Sequence, residues 1–211
     1  MGVKERRERE KLETRDLILE AARELFATQG YEGVSMRMVA ERIEYSPTAI
    51  YVHFADKEEL FRELCYQDFG RLAEVFQGPG VPSDPLERLK HVGRAYSEFG
   101  IHNPNHYKLM FMTPHPLTTL DERDRERKGN PEVDAYAFLK QTVQQAIDAG
   151  CFREGLKDAD LISQTVWAAV HGVISLHIAK CNESWMEWTP IEQRVELMLD
   201  ATLHGLVKEA R

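Results

Sequence analysis

Apolar residues recur along the chain at spacings of three and four. Leu17, Ala21 and Leu25, flanked by Ile18, Ala22 and Phe26, make one apolar face of a helix, and no useful length alternates apolar and polar residues as a half-buried strand does. The helix starts are marked as well. Ser46-Pro47, Asp84-Pro85, Asn103-Pro104, Asn130-Pro131 and Thr189-Pro190 each set a side-chain acceptor before the one helical position where a missing N–H does no harm. Glu87 and Glu192 complete capping boxes in two of them, and Asp56 with Glu59 makes another. These signals predict an all-α fold of about nine helices, near 14–28, 36–43, 47–53, 57–76, 85–101, 104–112, 131–149, 158–181 and 190–209. Gly78, Pro79, Gly80 and Pro82 break the chain after the fourth. The polar stretch 113–130, with mixed charges from Asp121 to Lys128, reads as a solvated loop or frayed helix.

Composition narrows the classes. A chain of 211 residues with 43% hydrophobic residues can bury a core without disulfide or metal staples. The longest nearly apolar run, 165–179, is interrupted by His171 and His177 and falls short of the ~20 residues of a bilayer span, so no membrane partner is expected. Residues 4–11 alternate in charge and lack the apolar stretch of a secretion signal, which points to the cytoplasm. Cys65, Cys151 and Cys181 stand at wide spacing without a motif, as reduced thiols do. His102 and His106 are four apart, but Asn103-Pro104 breaks the helix between them, so they do not form a helical zinc pair. No phosphate-cradling loop or nucleophile elbow is present, and neither catalysis, a metal nor a cofactor is expected.

The first sixty residues carry the clearest chemistry. Ser35 opens a short helix to Ile43, Glu44 and Tyr45 make a turn, and Ser46-Pro47 opens a second helix ending near Phe54. Two short helices joined this tightly make a helix-turn-helix, whose second helix enters the major groove while its neighbours pack behind. The expected hub is Leu25, Phe26, Val39, Ala40, Ile43, Ile50 and Phe54, which leaves Pro47, Thr48, Ala49, Tyr51, Val52 and His53 outside, with Ser46 at the helix start. Arg37, early in the preceding helix, can offer its guanidinium to a guanine edge or a phosphate.

Residues 17–60, through Ala21-Ala22, Leu25-Phe26, Gly30-Tyr31, Ser35, Val39-Ala40, the run Ser46 to Phe54, and Lys57-Glu58-Glu59-Leu60, resemble the N-terminal domain of TetR-family transcriptional regulators. The resemblance implies that Ser35, Tyr51, His53 and Lys57 hold phosphates and that Arg37, Pro47, Thr48 and Tyr51 face bases. It also implies a DNA-binding domain over 1–56, an effector and dimerisation domain over 57–211, and a connecting helix over 57–76. Glu44 departs from the glycine many members carry at the turn, which costs backbone ease if φ is positive.

Charge limits how DNA is held. The whole chain carries a net charge of -8, and residues 1–60 hold ten basic and thirteen acidic side chains. Few phosphates are then neutralised, and the salt slope of binding should stay below about ten. The arm before the first helix (Lys4, Arg6, Arg7, Arg9, Lys11) reads either as a groove-following arm or as a solvated tail.

The remaining residues point to assembly and sensing. Helices 158–181 and 190–209 carry more apolar surface than one chain covers: Val166, Val170, Val173, Ile174 and Ile178 on one side and the small Ala168, Ala169, Gly172 and Ser175 on another, with Ile191, Val195, Met198, Leu199, Thr202 and Leu206 on the second helix. A homodimer through a four-helix bundle is expected, presenting two recognition helices to a palindromic double-stranded operator. Closure of a monomeric core is the competing reading. Tyr96, Phe99, Asn103-Pro104, Tyr107, Met110-Phe111 and Trp167 to Gly172 resemble one branch of the family. By that resemblance Tyr96, Phe99, Met110, Phe111, Phe138, Trp167 and His171 line a cavity for an apolar or aromatic effector of unknown identity, with His171 its polar anchor. The alternatives are ordinary core at these positions, a helix-turn-helix used for protein contact, and a regulator with no small-molecule effector.

Overall fold

The computed structural model describes residues 2–114 and 121–208. The order is α1 (Val3–Gly33), α2 (Met36–Arg42), α3 (Pro47–Tyr51), α4 (Lys57–Phe76), α5 (Pro85–His102), α6 (Pro104–Tyr107), a π-helical turn (Lys108–Met112), α7 (Glu122–Arg127), α8 (Ala135–Asp148), α9 (Ala159–Lys180) and α10 (Ile191–Leu206). The fold is all-α. Two compact units form, one from residues 1–68 and 105–120, the other from 69–104 and 121–211.

In the first unit α1, α2, α3 and α4 close on Ile18, Leu19, Ala22, Phe26, Val39, Ala40, Ile50, Phe54, Leu60, Phe61 and Leu64, with Leu25 and Ile43 packed at the edge. The expected hub is therefore the observed one. Phe26 stacks on Tyr31 and meets Phe61 edge-on, the ring centroids 5.7 and 5.1 Å apart. Leu109 from the π-helical turn joins this core. Leu17 does not: it is 51% exposed, because the buried side of α1 is centred on Ile18, Ala22 and Phe26.

Helix α1 begins eleven residues before the expected start at residue 14. Its charged first turns sustain it: Gly2 N–H donates to Glu5 Oε2 at 2.8 Å, and Arg6 pairs with Glu10 at 2.7 Å. The Thr14 hydroxyl, at the expected start, donates back to Glu10 O at 2.8 Å instead of capping. Gly30 (φ 74°) then bends the chain before Tyr31 re-enters the core.

The second unit packs α5, α8, α9 and α10 around Leu89, Val92, Phe99, Leu139, Val143, Ile162, Ile174, Val195 and Leu199. A Cβ at Gly93 would overlap the Leu199 side chain, so glycine sets how closely α5 approaches α10. Asp84 and Asp158 cap α5 and α9, each accepting two backbone N–H groups at 2.9 to 3.1 Å. Asn130-Pro131 opens no helix. Asn130 Oδ1 accepts from Glu132 N–H at 3.1 Å in a turn, and Asp134 caps α8 four residues later. Glu122–Arg127 form α7 within that stretch, because Asp121 and Asp124 make a reciprocal capping box at 2.8 and 2.9 Å; residues 115–120 of that expected loop, and residue 209 of the expected last helix, lie outside the described residues.

Helix α9 is 22 residues long and, by length and composition, meets the requirement for a membrane span, as the core helix of a soluble protein also does, so it does not indicate a membrane protein. Only 22% of its apolar window is buried, and Leu161, Trp167 and Leu176 stand exposed, as does Leu197 on α10.

Candidate functional site

Two caps set the recognition unit. Ser35 Oγ accepts from Met38 N–H and Ser46 Oγ from Ala49 N–H, both at 3.3 Å, and Pro47 occupies the first turn of α3. The turn between α2 and α3 closes through Tyr45 N–H to Ala40 O at 2.9 Å. Glu44 there has φ 60°, so the chain adopts the left-handed turn without glycine.

Helix α3 divides into two faces. Ile50 and the following Phe54 are fully enclosed, whereas Ser46, Pro47, Thr48 and Tyr51 are exposed, Tyr51 by 53% and the adjoining Val52 by 66%. A short helix held from behind, with a hydroxyl, a phenol and small apolar groups outward, fits a major groove. Arg37 is exposed on α2 and donates through Nε to Glu41 at 2.7 Å, an exchangeable surface pair. His53 is half-buried, and its Nδ1 has no hydrogen-bond partner among the described residues. Burial, then the positive charges of Lys11 and Arg15, push the His53 imidazole below its usual range. Lys57 donates from Nζ to Tyr31 O at 3.0 Å and lies over the Tyr31 ring, 4.2 Å from its centroid. It therefore ties α4 to the end of α1, and holding a phosphate would share or exchange that bond. Arg15 was not legible as part of this site. It pairs with Glu63 at 3.1 Å and covers the Phe54 ring at 4.9 Å.

The second cluster lies in the other unit. Tyr96 is buried on α5, its hydroxyl 3.1 Å from His171 Nδ1, and Trp167 Nε1–H donates to the same hydroxyl at 3.2 Å. The Trp167 and His171 rings meet edge-on at 6.4 Å, as the i,i+4 spacing on α9 requires. Tyr136 approaches Trp167 at 6.2 Å and donates to Asp160, which also takes Lys140 Nζ at 2.6 Å. Phe99 is buried and Phe138 lies 6.3 Å from Phe76. Met110 and Phe111 belong to the first unit, Phe111 against Tyr107 at 5.0 Å. The seven expected lining residues are thus divided between two units. Two open grooves in the second unit use other residues: one of about 400 Å³ among Leu176, Met186, Trp188, Leu197 and Met198, and one of about 580 Å³ among Leu86, Lys90, Leu197, Ala201 and His204.

Burial pushes the His171 pKa below its usual range, and His53 and His177 shift the same way. Unfolded histidine takes up a proton near pH 6.5, before the folded one does, so stability is full above about 6.5 and falls as pH drops toward the depressed values. We expect Tm to decline from pH 7.5 to 5.5, and His171→Asn to make that decline shallower in a thermal-melt series.

The chain has sequence relatives among named regulators. The HTH-type transcriptional repressor AcnR of Corynebacterium diphtheriae is 42% identical over 80 residues, which cover 38% of this chain and 42% of that protein. This chain matches less than half the length of such AcnR relatives. The HTH-type transcriptional regulator AcrR of Shigella flexneri is 29% identical over 168 residues, 77% of this chain and 75% of AcrR. Among solved structures, the TetR family transcriptional regulator PfmR of Thermus thermophilus superposes with a TM-score of 0.69 at 23% identity, covering 90% of this chain and 99% of PfmR, and so shares the fold. Residues 18–64 match the family described as bacterial regulatory proteins, tetR family, and residues 89–202, more than half the chain, match a tetracyclin repressor-like C-terminal domain. The chain belongs to the TetR family of DNA-binding transcriptional regulators.

Proposed function

We propose that the chain is a repressor that binds a palindromic operator as a homodimer and is released by a small apolar or aromatic effector. The observation that carries the DNA reading is α3 itself: Ile50 anchors it while Thr48, Tyr51 and Val52 are left to solvent. Ser35, Tyr51, His53 and Lys57 are assigned to phosphates and Arg37, Pro47, Thr48 and Tyr51 to base edges, with Ser46 at the DNA-facing start of α3. Such side chains constrain sequence loosely, since only Arg37 has the bidentate fork that selects guanine. The names of AcnR and AcrR, a repressor and a regulator, support the assignment.

Homodimerisation rests on the apolar surface that α9 and α10 leave uncovered, with Leu161, Leu176 and Leu197 exposed by 57, 47 and 72%. A second copy covering it would form a four-helix bundle. The effector reading rests on Tyr96, Trp167 and His171, which place one hydroxyl and two ring nitrogens among aromatic walls. Phe99 and Phe138, in the same unit, complete the proposed lining, whereas Met110 and Phe111 fall in the other unit and drop out of it. Helix α4, whose residues pass from one unit to the other at Asp68 and Phe69, is the proposed coupling element. A coupling free energy of roughly 1 to 3 kcal/mol suffices for a switch of about 5- to 150-fold, and DNA must weaken the effector equally.

Footprinting the purified protein on the DNA upstream of its own gene tests this reading. Two protected half-sites about one helical turn (~34 Å) apart are expected, with protection lost on adding the right hydrophobic compound. A discrete footprint that no compound alters would leave a repressor without an effector, and no footprint would point to a protein-contact module.

A further inference from the structure

Helix α1 projects past its own core. Residues 4–13 are exposed and bury no apolar side chain, yet they are helical rather than an extended arm. At 3.6 residues per turn, Lys4, Arg7, Lys11 and Arg15 fall along one side, while Arg6 and Glu10 pair with each other away from it at 2.7 Å. Glu8 sits at the edge of the stripe and is its acidic interruption. The inner end of the stripe reaches the recognition unit: Arg15 lies over the Phe54 ring, and Lys11 and Arg15 are close enough to His53 to disfavour its protonation. At ~1.5 Å per residue, Lys4 and Lys11 stand about 10 Å apart along the axis, a span of several phosphates on a duplex.

We propose that the Lys4, Arg7 and Lys11 side of α1 is a rail for the phosphate backbone of duplex DNA flanking the half-site read by α3. The inference rests on the operator-binding reading above and adds to it a second, sequence-independent contact outside the recognition helix. Its chemistry is charge complementarity: exposed cations in a row, continuous with the recognition unit, on a chain whose net charge of -8 otherwise repels DNA.

The test uses the full chain and a duplex carrying the footprinted operator with and without its flanks, with affinity measured from 50 to 300 mM salt. Each phosphate contact adds about 0.9 to the slope of log affinity against log salt. Lys4→Gln with Arg7→Gln and Lys11→Gln, which keeps good helix formers, is expected to lower that slope by up to about 5 in a dimer and to erase protection at the flanks only. Arg6→Gln with Arg9→Gln, on the other faces, should leave the slope unchanged, and Glu8→Lys should steepen it. A triple variant with the wild-type slope and flanking protection, and native circular dichroism, would overturn the rail while leaving the operator reading intact. Absence of any footprint with the wild-type protein would overturn both.

Discussion

Tyr51→Ala is expected to abolish operator binding at physiological salt while leaving the fold as stable as before. Tyr51 is 53% exposed on the outer face of α3, so its removal opens no cavity. Its neighbour Ile50 is fully buried and carries the packing of the helix. A hydrogen bond to a charged group such as a phosphate is worth about 1.5 to 3 kcal/mol, and a two-fold dimer loses it twice, which predicts a weakening of roughly 10² to 10⁴-fold at a palindrome. The converse variant, Ile50→Ala, should lower Tm, since a large-to-small change in a packed core costs about 2 to 5 kcal/mol. Gel-shift titration alongside thermal melts separates the two. Unimpaired binding by a folded Tyr51→Ala protein would mean that α3 does not enter the groove.

The parts legible in the sequence are those where local chemistry and packing agree. Ser35 and Ser46 cap the helices that their position predicts, and the hub Phe26, Val39, Ala40, Ile50 and Phe54 closes as periodicity requires. The misreadings fall where two local signals compete. Asn130-Pro131 has the form of a helix start, but Asp134 is a second acceptor four residues on, and the chain uses the later one. Charge alternation before Thr14 carries no apolar period, so the helix through residues 3–13 is invisible to a hydrophobic pattern and rests on pairs such as Arg6 with Glu10. Contacts between distant positions were out of reach altogether. Nothing in the spacing of Tyr96 and His171 announces that hydroxyl and ring nitrogen meet at 3.1 Å.

The strongest of those distant contacts yields the second large expected effect. Arg23 on α1 is 5% exposed and Asp68 on α4 is 1% exposed; the guanidinium gives two hydrogen bonds to the carboxylate, Nε to Oδ2 at 3.2 Å and Nη2 to Oδ1 at 3.1 Å. His106 Nδ1 lies 2.9 Å from the same Oδ1, so one carboxylate joins α1, α4 and α6 within the first unit. Removing one partner of a buried pair costs about 3 to 5 kcal/mol, and because Arg23 Nη1 also pairs with Glu20, Asp68→Ala should fall at the lower end of that range. It is therefore expected to lower Tm by an amount near the bottom of the span of roughly 6 to 20 °C for a chain of this size. Asp68→Asn, which keeps the shape and an acceptor, should lower it less. Replacing both charges, Arg23→Met with Asp68→Leu, should recover much of the loss, because apolar packing substitutes for a buried pair at little net cost. Such a recovered protein decides what the pair is for. If it melts normally and binds operator normally, the ion pair is one way among others of filling the junction. If it melts normally but binds poorly, the fixed geometry of two hydrogen bonds, rather than the stability they add, is what holds α1 and α4 in the register that presents α3.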